Sequence, residues 1–255
     1  MEAPPATDYY ENTPRQRLFV ESLKVTRIRQ SRDLLRRTLI MGDDRQAWLD
    51  FGCGRGWFLE EAQRERIPSL AGFDASELST GWLKDLGFLM AKPKAADLLW
   101  PDWSSLPFSP RVISFLDVIE HFQGESAEAA IRRLIKELPE LKYLVIKVPS
   151  SEGILFRIAK WARRLAPGLY EQLFQVGTFP PHFHYFSKTT LRRFVEKCGL
   201  EIVSAWSDPD VDNVFHRIPS LSFFPGGRIF SALLRIFPAD SEIVIARVGQ
   251  KDSSE

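Results

Sequence analysis

The chain is poor in cysteine, balanced in charge and without any long apolar run, and each shortage narrows what it can be. Its two cysteines, Cys53 and Cys198, are expected to be reduced, as in a cytoplasmic enzyme. A formal net charge of +1 argues for neither nucleic acid nor an acidic substrate, and DNA is not an expected partner. No window approaches the ~18 uninterrupted apolar residues of a membrane-spanning helix. The first residues, Met1 to Pro5, lack the basic region and apolar run of a secretory signal. There is no internal repeat and no low-complexity tract. What remains is ordinary globular composition, 44% hydrophobic and 26% charged, in 255 residues, which suits one domain with insertions.

The most informative stretch runs from Trp48 to Phe58. Trp48, Leu49 and Phe51 read as a buried strand, and Gly52, Gly54 and Gly56 as a turn that brings main-chain N–H groups and a helix N-terminus close to a ligand. The glycines alternate as G-x-G-x-G. The dinucleotide fingerprint would place its third glycine where Trp57 stands, which disfavours a nicotinamide enzyme. Leu70 to Phe73 is a short apolar run ending in Asp74. Asp74 lies about 20 residues beyond the first glycine, the usual distance to a ribose-binding carboxylate. Together the two signals point to a nucleoside site.

Around this stretch the pattern alternates. Strands are expected at 47–51, 69–74, a short one ending near Asp97, then 111–116, 144–148, 200–206 and 242–248. Helices are expected at 57–66, 77–87 with Ser76 as N-cap, 126–137 and 188–198 with Ser187 as cap. This succession predicts a doubly wound parallel sheet. A helix precedes it at 15–41, with eight Arg/Lys between Arg15 and Arg37 against Glu21 and Asp33. That +6 either faces phosphates or an anionic membrane, or is the solvated side of a helix packed over the ligand site. Residues 151–181 and 211–238 mix aromatic and basic side chains and fall outside the alternation.

Leu49 to Gly56 resembles motif I of the class I S-adenosylmethionine-dependent methyltransferases, and Asp74 resembles their acidic ribose-binding residue. The resemblance continues through Asp97-Leu98, Val112 to His121 and His182 to Ser187, and is closest to the small-molecule branch that carries D-V-[IL]-E-H after the fourth strand. It implies a Rossmann-like, mostly parallel seven-stranded sheet with an antiparallel last strand and helical lid insertions. The N-terminal tail and basic helix would be residues 1–41, the methyltransferase domain 42–255, and the lids 151–187 and 207–240. The implied cofactor is S-adenosyl-L-methionine. Asp50 would orient its methionine amino end, and the turn with Gly52, Cys53, Gly54 and Gly56 would lie beneath methionine and ribose. Asp74 would take the ribose hydroxyls, Ala75 and Ser76 would flank the adenine, Asp97 would accept from the adenine amino group beside Leu98, and Leu116 would line the site.

Methyl transfer from a sulfonium needs near-attack geometry, and a base only if the acceptor loses a proton. If a helical turn follows the fourth strand, Asp117, Glu120 and His121 project to one side, with His121 as base and Glu120 orienting it. His182 and His184 stand at the mouth in the resembling family, and at least one of them is expected only to bond to backbone. These residues suit O-methylation of a small-molecule or lipid-like acceptor, with the aromatic and basic segments covering the core or meeting a membrane surface. An alternative comes from the ubiquinone-pathway and small-RNA 2′-O-methyltransferases, which carry E-x-x-E-H here and hold a divalent metal. By that resemblance Asp117, Glu120 and His121 become metal ligands, with Asp117 one methylene shorter than the first Glu; the RNA enzymes add a later histidine, which aligns best with His182, His184 being the other candidate. An RNA acceptor would need a basic groove, against which the net charge argues. A further alternative is a non-catalytic or partner-dependent subunit that keeps the cofactor fold. Leu138 to Tyr143 replaces the L-K-P-G-G turn of many relatives, which weakens assignment to a subfamily.

Overall fold

Strand β1 (Ala47–Phe51) is buried from Trp48 to Phe51 because it lies inside a sheet, with β2 (Ser69–Phe73) on one side and β5 (Val112–Leu116) on the other, both parallel to it. The computed structural model describes residues 14–122, 127–153, 157, 182–208 and 241–249, with side chains from Leu23 onward. The sheet continues to β6 (Tyr143–Pro149), then β8 (Ser241–Val248) and β7 (Leu200–Asp208), giving the order β2-β1-β5-β6-β8-β7. The last strand, β8, runs antiparallel to both of its neighbours. Its apolar residues face cores on both sides of the sheet, as a strand covered on both faces requires.

Helices cover both faces. On one, α1 (Pro14–Arg37), α2 (Trp57–Arg64) and α3 (Glu77–Asp85) bury Leu34, Leu35, Phe58, Leu59 and Leu83 against Trp48, Val112 and Val145. On the other, α4 (Ala127–Glu137) and α5 (Lys188–Lys197) bury Ile131, Leu134 and Leu191 against Ile113, Leu144 and Ile146. Ser76 caps α3 by accepting from the Ser79 N–H, and Ser187 caps α5 in a reciprocal capping box with Thr190. A 3₁₀ stretch, Thr38–Gln46, joins α1 to β1 and is broken at Gly42. Arg32 of α1 forks onto Glu61 of α2 at 2.7 and 3.2 Å. Among the described residues no helix is long and apolar enough to cross a membrane. Cys53 and Cys198 are buried free thiols.

Among the described residues the main sheet has six strands, against the expectation of seven. β3 (Lys92–Lys94) and β4 (Asp97–Asp102) form a separate antiparallel hairpin. The seventh position, beside β2, is reduced to a single bridge between Gly72 and Met90. Pro93 follows closely and has no N–H to continue a ladder. The hairpin is held instead to α4 by Glu137, which accepts from the Trp100 and Trp103 indoles at 2.7 and 2.6 Å and from Lys94 at 3.0 Å. Burial alone would raise the Glu137 carboxyl; these donors and Arg133 outweigh it and hold it down at about 2. Most of the expected lid segments lies outside the described residues, but their flanks meet: Ser150 bridges Phe186, and the Ser151 N–H donates to the Phe186 carbonyl at 2.7 Å.

Because β1, β2, β5 and β6 are parallel, Gly52, Asp74, Asp117 and Ser150 all leave the sheet along the same edge. Open α/β sheets bind ligands at such an edge.

Candidate functional site

The glycine turn is built from inside. The Gly52 and Cys53 N–H groups both donate to the Phe73 carbonyl, at 2.7 and 3.0 Å, tying the end of β1 to the end of β2. The two oxygens of Asp74 are divided: one accepts the Gly54 N–H at 2.7 Å, the other the Ser76 N–H at 2.8 Å. Each oxygen keeps a lone pair for a ligand hydroxyl. Burial raises the Asp74 carboxyl, and these two bonds oppose the rise.

Gly54 and Gly56 both have positive φ, +50° and +72°, but for different reasons. A Cβ at Gly56 would lie 2.3 Å from Leu83 Cδ2 in the core, whereas one at Gly54 would meet nothing within 4 Å. Gly54 therefore faces open space where a ligand can approach. Both alanine variants carry left-handed strain of roughly 1–2 kcal/mol. Gly56→Ala should show the larger drop in melting temperature, since Leu83 must also move. Gly54→Ala should fold and lose S-adenosylhomocysteine affinity by roughly tenfold or more in a calorimetric titration. Undiminished binding by Gly54→Ala would show that the ligand does not use this space.

Behind the turn a polar chain runs into the sheet. The Trp48 indole donates to Ser114 Oγ at 3.0 Å, and Ser114 Oγ donates to Asp50 Oδ1 at 2.5 Å. Burial pushes the Asp50 carboxyl up to about 7, against the Ser114 bond and with help from the charge of Asp74.

Two connected hollows open above the strand ends. The larger, about 910 Å³ with its open mouth, is floored by Asp50 and the glycine turn, walled by Leu116 and Lys147, and roofed by α1 through Arg27 and Gln30. The smaller, about 680 Å³, is bordered by Asp74, Ala75, Leu99, Val118, His121 and Phe122. Gly52 and Asp117 belong to both. Cys53, Gly54 and Leu116 line the larger hollow, and Ser76 caps the helix α3.

The structure takes Asp97 and Leu98 elsewhere. Asp97 pairs with Arg133 of α4 at 2.8 Å, Leu98 is 61% exposed, and neither lines a hollow. Their strand is part of the hairpin rather than of the main sheet, so its first residue is held to α4. Leu99 borders the smaller hollow instead.

Asp117 also departs from expectation. It takes a left-handed backbone, φ 60°, and does not join Glu120 and His121. Its two oxygens bind Lys147 Nζ at 2.9 and 2.7 Å, and Arg27 of α1 pairs with it as well. Burial favours the neutral acid, but Arg27 and Lys147 prevail and hold the carboxyl below its ordinary range. Sequence reading missed Lys147, Arg27 and Gln30. The signal for Lys147 was a lone lysine inside an otherwise apolar strand.

Glu120, His121 and His182 do come together. Glu120 and His121 lie in a 3₁₀ turn, Ile119–His121, after β5. The Glu120 carbonyl accepts from the Phe183 N–H at 2.8 Å and the His184 N–H at 3.2 Å, which brings His182 to the group. The His121 and His182 rings lie 4.6 Å apart, and the donor atoms of all three side chains fall within 4.8 Å of one another. Glu120 is 1% exposed, and neither of its carboxyl oxygens has a hydrogen-bond partner among the described residues; nor has His182 Nδ1. Burial, reinforced by Asp117, pushes the Glu120 carboxyl up to about 8. Burial, reinforced by His121, lowers His182 to about 4. His184 stays out of the group: its ring stands by Phe186, 6.3 Å away, and its contribution is the backbone bond.

Residues 24–205 match the family model described as a methyltransferase domain. No curated protein matches the chain by sequence. Among solved structures, the chain is similar to magnesium protoporphyrin IX methyltransferase from Synechocystis PCC 6803 with bound SAH, at 16% identity over 94% of this chain and 89% of that one, with a TM-score of 0.52. It is similar to the methyltransferase domain of bacterial CtHen1-CN, at 14% identity over 87% and 100%, with a TM-score of 0.52. It is also similar to a mycolic acid cyclopropane synthase complexed with SAH, at 14% identity over 79% and 77%, with a TM-score of 0.50. At these identities the likeness is one of fold.

Proposed function

We propose, for a chain that belongs to the methyltransferase-domain family and takes its methyl group from S-adenosyl-L-methionine, that the acceptor atom is a hydroxyl oxygen of a small or lipid-like molecule. The names of the solved neighbours span porphyrin and fatty-acid chemistry, so the acceptor must be argued from the site. The observation that supports oxygen is the group of Glu120, His121 and His182 beside the hollow that Asp74 borders. A hydroxyl, unlike an amine, is a poor nucleophile until its proton is taken. In this reading the acceptor oxygen attacks the sulfonium methyl, the carbon–sulfur bond breaks to leave the neutral thioether, and the hydroxyl proton passes to His121. Asp50, with its carboxyl near 7, takes the amino end of the methionine, and Asp74 takes the ribose.

A second reading draws on the same group. A buried carboxylate and two imidazoles, with Glu120 and His182 Nδ1 lacking partners, fit a divalent cation. Glu120, His121 and His182 would hold it, Asp117 being committed to Lys147, and the ion would acidify the acceptor hydroxyl. This is the arrangement an RNA 2′-O-methyltransferase would use.

The test is transfer of labelled methyl groups to a panel of phenols, polyprenyl phenols and RNA 3′ ends, with chelator or added manganese. The expected product is a methyl ether of a small acceptor, with a rate that chelator leaves unchanged and that His121→Ala lowers by roughly 100-fold or more. Loss with chelator and recovery with manganese would favour the metal reading. A product methylated at nitrogen or carbon would refute oxygen transfer.

A further inference from the structure

We infer that the outer face of α1 docks on an anionic lipid bilayer. The inner face of the helix is committed to the fold: Thr26, Ser31, Leu34 and Leu35 are buried. A helix packed on one side should be polar on the other. Instead Val25, Ile28, Arg29, Arg32 and Arg36 share an arc of about 100°. They line an open groove of about 980 Å³. Val25 is 61% exposed, and just past the helix Leu39 and Ile40 are exposed as well, at 61% and 56%. Residues 25–40 extend over roughly 20 Å, enough for several lipid headgroups.

The charges of this face are layered. Arg29 forks onto Asp208 of β7, and Arg32 onto Glu61 of α2. The acids lie underneath, with side chains 11% and 5% exposed, while the two arginine side chains stay 41% and 55% exposed. Positive charge therefore faces outward, and the exposed Arg36 adds to it. Asp33, the acid that lines the groove, is paired with Arg37 at 2.9 Å. Exposed aliphatic side chains interleaved with outward arginines suit a bilayer interface, where the first enter the acyl boundary and the second meet lipid phosphates. Single-stranded nucleic acid offers phosphates too, but its bases call for aromatic platforms, and none of the groove's described residues is aromatic.

Because α1 also roofs the larger hollow, docking would bring a lipid-like acceptor to the site; that consequence rests on the proposed function, whereas the docking does not. The test is co-sedimentation of the full chain with vesicles of phosphatidylcholine alone or mixed with phosphatidylglycerol. Sedimentation is read without turnover, so the docking and the acceptor reading fail separately. The natural chain should bind the mixed vesicles, leave them at high salt, and ignore the neutral ones. Arg36→Glu, which removes one positive charge and adds one negative, should weaken partitioning by roughly 25-fold, at about fivefold per charge. Leu39→Asp should weaken it by roughly tenfold. Both variants should bind S-adenosylhomocysteine as the natural chain does, which shows that they fold. Equal sedimentation with both vesicle types, or with neither, would overturn the inference. So would folded variants that sediment like the natural chain. Tighter binding to a short RNA than to mixed vesicles, lost in Arg36→Glu, would also overturn it and give the face to nucleic acid.

Discussion

Asp74→Ala should abolish S-adenosylhomocysteine binding, with a loss on the order of 100-fold or more. The carboxylate has two tasks at once. One lone pair on each oxygen holds the backbone, at Gly54 and at Ser76, and one on each remains for the ribose hydroxyls. A hydrogen bond to a charged group contributes about 1.5–3 kcal/mol, so two ribose bonds amount to roughly two to four orders of magnitude in affinity. Alanine also leaves the Gly54 and Ser76 N–H groups without their acceptor, so the turn that faces the ligand loses its anchor. Asp74→Asn should fall between, since its amide must turn an N–H toward one of those donors. 5′-Methylthioadenosine, which keeps the ribose and lacks the amino-acid end, should be lost together with S-adenosylhomocysteine. Normal binding by Asp74→Ala would remove the ribose assignment altogether.

Glu120 should make the stability of the chain fall as pH rises from about 5 to 8, and that part of the slope is what Glu120→Gln should remove. Asp50 adds to the fall up to about pH 7, and His182 opposes it below about pH 6.5. In the folded chain burial pushes the Glu120 carboxyl up to about 8, from an ordinary value of 4.5. Below the ordinary value both folded and unfolded chains hold the proton, and there is no penalty. Through the window above it the unfolded chain ionises and the folded chain does not, so unfolding gains steadily until the folded group titrates as well. The difference amounts to a few kcal/mol, or roughly 5–10 °C in melting temperature for a domain of this size. Thermal melts of both forms at pH 5 and pH 8, with chelator present, measure it. Parallel pH dependence would show that Glu120 is already ionised in the folded chain. Manganese offers a contrast, because a cation bound to the carboxylate would hold it ionised and flatten the slope of the natural protein.

How much of this was legible beforehand depended on the range of the interaction. The glycine turn and Asp74 are linked by spacing along the chain, and the structure joins them through hydrogen bonds at the ends of adjacent strands. The Ser76 and Ser187 caps are local, and they stand as read. Asp97 was misplaced because a short strand and the arm of a hairpin look alike until the partner strand is known; here the partner is β3, held through Glu137 to α4. Asp117 was grouped with Glu120 and His121 on the assumption of a regular helical turn. Its left-handed backbone redirects it toward Lys147, 30 residues away, and Arg27, on a helix that precedes the whole sheet. Nothing local to Asp117 announces either cation. His182 could be placed only by resemblance, since two backbone bonds to Glu120 bring it in across 62 positions of sequence.

The contact between Ser150 and Phe186 has an evolutionary side. It brings both ends of the intervening segment to one point at the rim of the site, so the sheet holds the ends whatever lies between. The entropy of closing a chain segment between two fixed ends grows only with the logarithm of its length, about 0.6 kcal/mol for each doubling. A change of length between those two residues that keeps His182 to His184 against Glu120 therefore weighs lightly on the described fold, whereas a single methyl group added at Gly56 meets the core. With this segment as the acceptor lid that the resemblance implies, the chain can diversify in what it accepts while staying conservative in what it donates.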